Sequence, residues 1–348
     1  MKAKRKRTPV ENFKQRISIL DPQLGAKINQ FLPYWWEHSL SESPGASQQA
    51  IVSMARLLNL DLATVLNEDL PLSFKNISCC YKKTADKSYS DLQTSTALIH
   101  SFSKTLSAIT LHSYKPFGDA ESIRKEILSS GKPWVDFISL AQYCWSYGVP
   151  VVFIPDIFST KKMDAVVQKV NDRPVIAITK KSQYDSKLLF LLAHEMGHVY
   201  CNHIEDKKVI LDSKIREDQY NDSDVWFFDA EKEANQFALS VITGKEQGGF
   251  HSNGSWMKGT ELAAQAQVIA KNISVDPGHI ALNWAYTTIK SFNGSPQVWG
   301  IATNALKTLN LSPDWKKQLQ ELFLSNIDEM KGDEDQVEYL FDILRIEG

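Results

Sequence analysis

The chain has 348 residues, 43% of them hydrophobic and 23% charged, with a formal net charge of −2. That length suffices for a substantial core divided over two or three compact units. The near-balanced charge gives no global electrostatic case for nucleic acid or membrane. No apolar stretch approaches the roughly 18 residues of a membrane span, so a cytoplasmic globular protein is expected.

The first residues are basic (Lys2, Lys4, Arg5, Lys6, Arg7) and read as a solvated tail. Residues 1–75 are expected to form a small helical unit, with apolar positions Ile51, Met54, Ala55, Leu58 and Leu62 at helical spacing and a tryptophan pair, Trp35 and Trp36. Pro71 and the polar stretch after it mark a boundary. Residues 76–115 contain a further helical pattern through Leu92, Ile99, Phe102, Leu106 and Ile109, a connector that "YKPFGD" ends.

From about residue 116 the texture becomes mixed. "WVDFISLAQYCWSYG" reads as a helix, while "VPVVFIP", "DAVVQKV" and "RPVIAITK" read as short strands. Asn171-Asp172 between the last two predicts an antiparallel hairpin. A polar segment from Glu205 to Asp229 precedes a clear helix, "FFDAEKEANQFALSVI", and a Gly/Ser-rich loop follows it. Residues 245–348 are expected to be helical, with "ELAAQAQVIAKNI" and "DWKKQLQELFLSNIDEM" the clearest elements. The four cysteines (Cys79, Cys80, Cys144, Cys201) show no paired metal spacing and are expected to be reduced thiols.

The stretch "LLFLLAHEMGHVYCNH", residues 188–203, carries the chemistry. On a helix, His194 and His198 lie about 40° apart on one face, one turn above the other, so both imidazoles can reach one ion. Zinc takes neutral imidazole nitrogen at about 2.0–2.1 Å in a compact tetrahedron. Glu195 sits at the border of that face, where it can hold a water and accept its proton as general base. The alternative is a structural cluster of satisfied polar groups. Against it, six apolar residues from Leu188 to Ala193 run straight into the motif, and buried histidine and glutamate need partners. Ser182 with Asp185 three residues on reads as a capping box that starts the helix.

The third ligand is expected to be Glu231, giving a two-His, one-Glu zinc site. Glu231 shares a helical face with Ala234, Ala238 and Val241, whereas Glu233 falls with Gln236 and Ser240 on a polar face. A third-histidine site wants HExxHxxGxxH, with Gly at 201 and His at 204; the chain has Cys201 and Ile204, and His203 is one position short. Ala234 is small enough for close helix approach, and Asn235 is placed to hydrogen-bond a ligand histidine. Tyr200, His203 and the polar segment 205–229 are candidates for stabilising a transition-state oxyanion.

"HEMGH", preceded by "GVPVVFIP…RPVIAIT" and followed by "EKEANQFA", resembles the ImmA/IrrE family of zinc metallopeptidases across residues 116–244. Residues 46–69 resemble the later helices of an XRE-type DNA-binding domain. The resemblance implies an α+β, mostly helical protein. A zincin-like core would carry a small antiparallel sheet beside the HExxH helix, flanked by helical N- and C-terminal regions. It also implies a Zn2+-dependent regulatory endopeptidase that cleaves protein substrates such as transcriptional repressors, with DNA a further partner of the N-terminal domain. The competing expectation is a stress regulator that binds DNA or protein and uses the zinc fold as scaffold or sensor, with little or no proteolysis.

Overall fold

The computed structural model describes residues 7–81, 90–154, 164–204, 208–212, 225–245, 256–291, 295–311 and 314–346. Lys2, Lys4, Arg5 and Lys6, most of the polar segment and most of the Gly/Ser-rich loop lie outside the described residues.

The described chain is mostly helical with one small sheet. An N-terminal group comprises α1 (Pro9–Leu20), α2 (Pro22–Lys27), α3 (Pro44–Leu57) and α4 (Leu62–Leu66). Strand β1 (Ser78–Tyr81) and the long helix α5 (Ser90–Ile109) follow. The central part runs α6 (Ala120–Ser129), α7 (Phe137–Ser146), β2 (Val151–Phe153), β3 (Ala165–Val170), β4 (Arg173–Ile178), α8 (Ser186–Tyr200), β5 (Lys208–Asp212) and α9 (Val225–Thr243). Five α-helices complete the described residues: α10 (Gly259–Ile273), α11 (Pro277–Ser291), α12 (Gln297–Leu309), α13 (Trp315–Ser325) and α14 (Glu334–Leu344).

The strands order β1-β5-β3-β4-β2. The expected hairpin is present: β3 and β4 pair antiparallel with Val167 opposite Ile176, and Asn171 and Asp172 both take positive φ (50° and 62°), as a tight primed turn requires. The sheet as a whole is mixed rather than antiparallel. Strand β4 inserts between β2 and β3, so β2 comes to lie parallel to β4, and β1 is parallel to β5.

Alternation along the hairpin explains why its strands read as nearly unbroken apolar runs. Ala165, Val167, Ile176 and Ile178 face one core with Leu188, Leu189 and Leu192 of α8. Val166, Val175 and Ala177 face a second core with Phe102, Leu106 and Ile109 of α5 and Leu340 of α14. A sheet covered on both faces needs apolar residues at both parities. The N-terminal helices pack Phe13, Ile17, Phe31 and Leu58 against Ala97 and Leu98 of α5, and α10 to α12 form a separate cluster around Trp284.

Helix α8 starts later than the capping box predicts. Ser182 Oγ accepts from Tyr184 N at 3.0 Å and donates to Tyr184 O at 2.7 Å, closing its own turn. Asp185 is the N-cap instead, accepting from Ser186 N at 2.8 Å.

Asp276 supports the start of α11 by accepting from His279 N at 2.7 Å. Its carboxyl is pushed up to about 7, chiefly by burial, with Asp185 and Asp136 adding repulsion. The folded state therefore keeps a proton that the unfolded chain has lost, and this group's contribution to stability falls as pH rises from about 4 to about 7. Buried His279, lowered to about 4 by burial, acts in the opposite direction over much of the same window, losing stability as pH falls. Asp276→Asn keeps an acceptor at the cap and removes only the first effect. Its stability relative to the parent, read from urea midpoints, is expected to improve steadily from pH 4 to pH 7 and then level off. A pH-independent difference would remove Asp276 as the cause.

Candidate metal centre

The site is built where α8 and α9 cross. Gly197 lies against the α9 backbone: a Cβ placed on it would sit 2.7 Å from Ala234 Cα and 2.8 Å from Ala234 O. Two small residues thus set the spacing, Gly197 on one helix and Ala234 on the other, and they bring His194 and His198 towards Glu231. Gly197→Ala is expected to cost about 1–3 kcal/mol through overpacking, although Ala favours a helix interior by up to about 1 kcal/mol. Denaturant unfolding checks this, and a stabilised variant would show that the helices can separate freely.

His194 and His198 meet edge-on, with ring centroids 4.7 Å apart and planes at 88°. Their Nε2 atoms are 3.1 Å apart. Glu231 brings Oε1 to 3.3 Å from His198 Nε2 and Oε2 to 3.6 Å from His194 Nε2. All three side chains are buried, as is Glu195, which has no exposed surface.

The surroundings fix the tautomers. His194 Nδ1 lies 3.0 Å from Asn235 Oδ1, an acceptor, so Nδ1 carries the proton and Nε2 presents a lone pair. His198 Nδ1 lies 3.0 Å from His203 Nδ1, and His203 Nε2 lies 2.9 Å from the Glu233 carboxylate. His203 Nε2–H donates to the carboxylate, which leaves His203 Nδ1 as acceptor and His198 Nδ1 as donor. His198 Nε2 then also presents a lone pair.

Two lone pairs and a carboxylate converging within 3.1–3.6 Å repel one another in a buried space, and a cation between them reverses the sign. The spacing suits one. Donors at about 2.0–2.1 Å from a tetrahedral ion lie about 3.3–3.4 Å from each other. The group His194, His198 and Glu231 could hold a metal ion.

His203 reaches this position through the helix end. Asn202 adopts the left-handed conformation (φ 55°), His203 N bonds to His198 O at 3.0 Å, and Asn202 N bonds to Val199 O at 3.2 Å. This paired capping pattern folds the chain back over the last turn. His203, unsuited by spacing to join the His194, His198 and Glu231 group, becomes the hydrogen-bond partner of His198. Glu233 is 58% exposed at its side chain yet anchors His203. Cys201, His203 and Glu233 are also close enough together to hold a metal, but both nitrogens of His203 are engaged in this relay.

Tyr200, the other residue expected near the reacting group, is 45% exposed and stacks on Phe237 with centroids 4.7 Å apart. Sequence reasoning did not single out Phe190 or His279. Phe190 lies between His194 and His279, at 6.3 Å and 6.4 Å, with both pairs near-parallel. The position of Phe190 one turn before His194 was the available signal.

Comparison with models of protein families, with curated proteins and with solved structures gives no match to the chain. Among the described residues, no helix is long and apolar enough to cross a membrane.

Proposed function

We propose that the chain is a zinc-dependent endopeptidase of the zincin class, related to the ImmA/IrrE metallopeptidases, which acts in the cytoplasm on a small set of proteins such as transcriptional repressors. The observation that carries this reading is the buried triangle of His194, His198 and Glu231 with Glu195 beside it in the same helix. Two imidazoles and one carboxylate are a zinc donor set, and three protein ligands leave a fourth position for substrate or water. Held by His194, His198 and Glu231, zinc would supply Lewis acidity to a water at that position.

The chain's own residues supply the rest. Asn235 and the His203–Glu233 pair hold the two imidazoles in the tautomer that presents Nε2. Glu195 orients the attacking water, takes its proton on a carboxylate oxygen and passes it to the departing amine nitrogen. The half-buried Phe190 ring stacks against His194 and covers that side of the imidazole.

The test uses one preparation of the full chain. Metal content is measured, and cleavage of co-expressed XRE-type repressors is compared between the parent and Glu195→Gln. Zinc at one per chain with cleavage confined to the parent supports the proposal. Bound zinc with no cleavage in either favours a scaffold or sensor that binds protein or DNA without proteolysis.

A further inference from the structure

A cavity of about 350 Å³ opens between the segment after α3, the approach to β1, the middle of α5 and the β3–β4 turn. Three lysines line it, Lys75, Lys104 and Lys169, together with His100 and Asn59. The one carboxylate in the lining is Asp172, whose side chain is 86% exposed and 3.5 Å from Lys169. We propose that this cavity binds a phosphorylated small molecule of nucleotide size.

Several independent features point to an anion. The positive charge is crowded: burial and then Lys75 hold the Lys104 ammonium below its ordinary value, and burial, with Lys104 and Lys75, favours the neutral form of His100. Such a cluster is costly alone and is relieved by negative charge. Asn59 is 3% exposed, and its Nδ2 has no hydrogen-bond partner among the described residues. A buried amide donor without an acceptor is expensive, and a phosphate oxygen would satisfy it.

The walls are held in place. Asn59 takes a left-handed φ of 53°, its N–H donates to Arg56 O at 3.1 Å, and its O accepts from Lys75 N at 2.8 Å. Gln168 donates Nε2 to Ile99 O at 3.0 Å and to Ser103 Oγ, which turns Oε1 towards His100 Nδ1 at 3.1 Å. His100 is thereby fixed with Nε2 as its remaining polar atom. Lysine ammoniums with several donors each suit a group with several charged oxygens. The volume is that of a small-molecule site, whereas even a single DNA-binding module needs a broad contact surface.

The experiment is calorimetric titration of the full-length, metal-loaded chain with ADP, with inorganic pyrophosphate and with adenosine. ADP and pyrophosphate are expected to bind, more weakly as salt is raised, and adenosine to give no heat. The double variant Lys75→Gln/Lys104→Gln should weaken ADP at least about tenfold, a loss of about 1.4 kcal/mol. Its metal content and ligand-free melting temperature should match the parent. Asn59→Asp, close in size and tolerant of the left-handed conformation, should weaken ADP comparably by placing a carboxylate among the phosphate oxygens. ADP should also raise the melting temperature of the parent more than that of either variant. Absence of heat with both phosphate probes overturns the proposal. Unchanged ADP affinity in the lysine variant does so too, as does retention of a short random DNA duplex that ADP fails to displace.

Discussion

Glu231→Ala is expected to abolish stoichiometric metal binding. With the carboxylate gone, the two Nε2 atoms 3.1 Å apart remain as the only ligand pair, and the site loses the one anionic donor that offsets the ion's charge. The affinity loss should exceed the 10–100-fold, roughly, that follows when only an outer partner of a ligand is removed. Glu233→Ala and His203→Ala define that lesser class. Both should fill with metal at full stoichiometry in excess, because His194, His198 and Glu231 survive. Each should bind about 10–100-fold more weakly, because His198 loses the relay that fixes its tautomer. Elemental analysis gives stoichiometry, and competition with a chelator gives affinity. Full metal content in Glu231→Ala, or its loss in Glu233→Ala, would reassign the third ligand.

The contrast between Glu231 and Glu233 was legible in the sequence because helical periodicity is local. Glu231 shares its face with Ala234, Ala238 and Val241, all buried here, and its side chain is buried with them. The same local logic gave the shared face of the two histidines, the Asn171-Asp172 hairpin and the contact of Asn235 with His194. What escaped depends on backbone turns and long-range pairing. His203 was judged by its spacing along a continuing helix, yet the helix ends at Tyr200 and the left-handed Asn202 folds His203 back onto His198. Helix α6, "AESIRKEILS", buries only Ile123 and Ile127, too few apolar positions for its period to stand out. The β1 and β5 pairing joins Cys79 to Val209 across most of the central chain, which no window of sequence registers. The sequence marks "VPVVFIP" as a strand but not its neighbour, and its direction depends on which edge of the hairpin it joins, here that of β4.

Glu195→Gln is the substitution that separates chemistry from architecture. Glutamine has nearly the same volume, so a fully buried position in α8 can accept it without opening a cavity. The ligand triangle excludes residue 195, so metal content should stay at that of the parent. What changes is proton affinity: the amide can hydrogen-bond a water but cannot take its proton. Hydrolysis of a cleavable protein substrate should therefore fall by about 10²–10⁴, the range for loss of a general base, or about 2.7–5.4 kcal/mol in the barrier. The fall should appear in kcat more than in KM, because the missing interaction belongs to the transition state. Single-turnover assays with the metal-loaded variant read this directly. Parental turnover in that variant would remove Glu195 from the chemistry. Loss of metal would instead draw it into the ligand set, leaving the base to be sought elsewhere along the α8–α9 crossing.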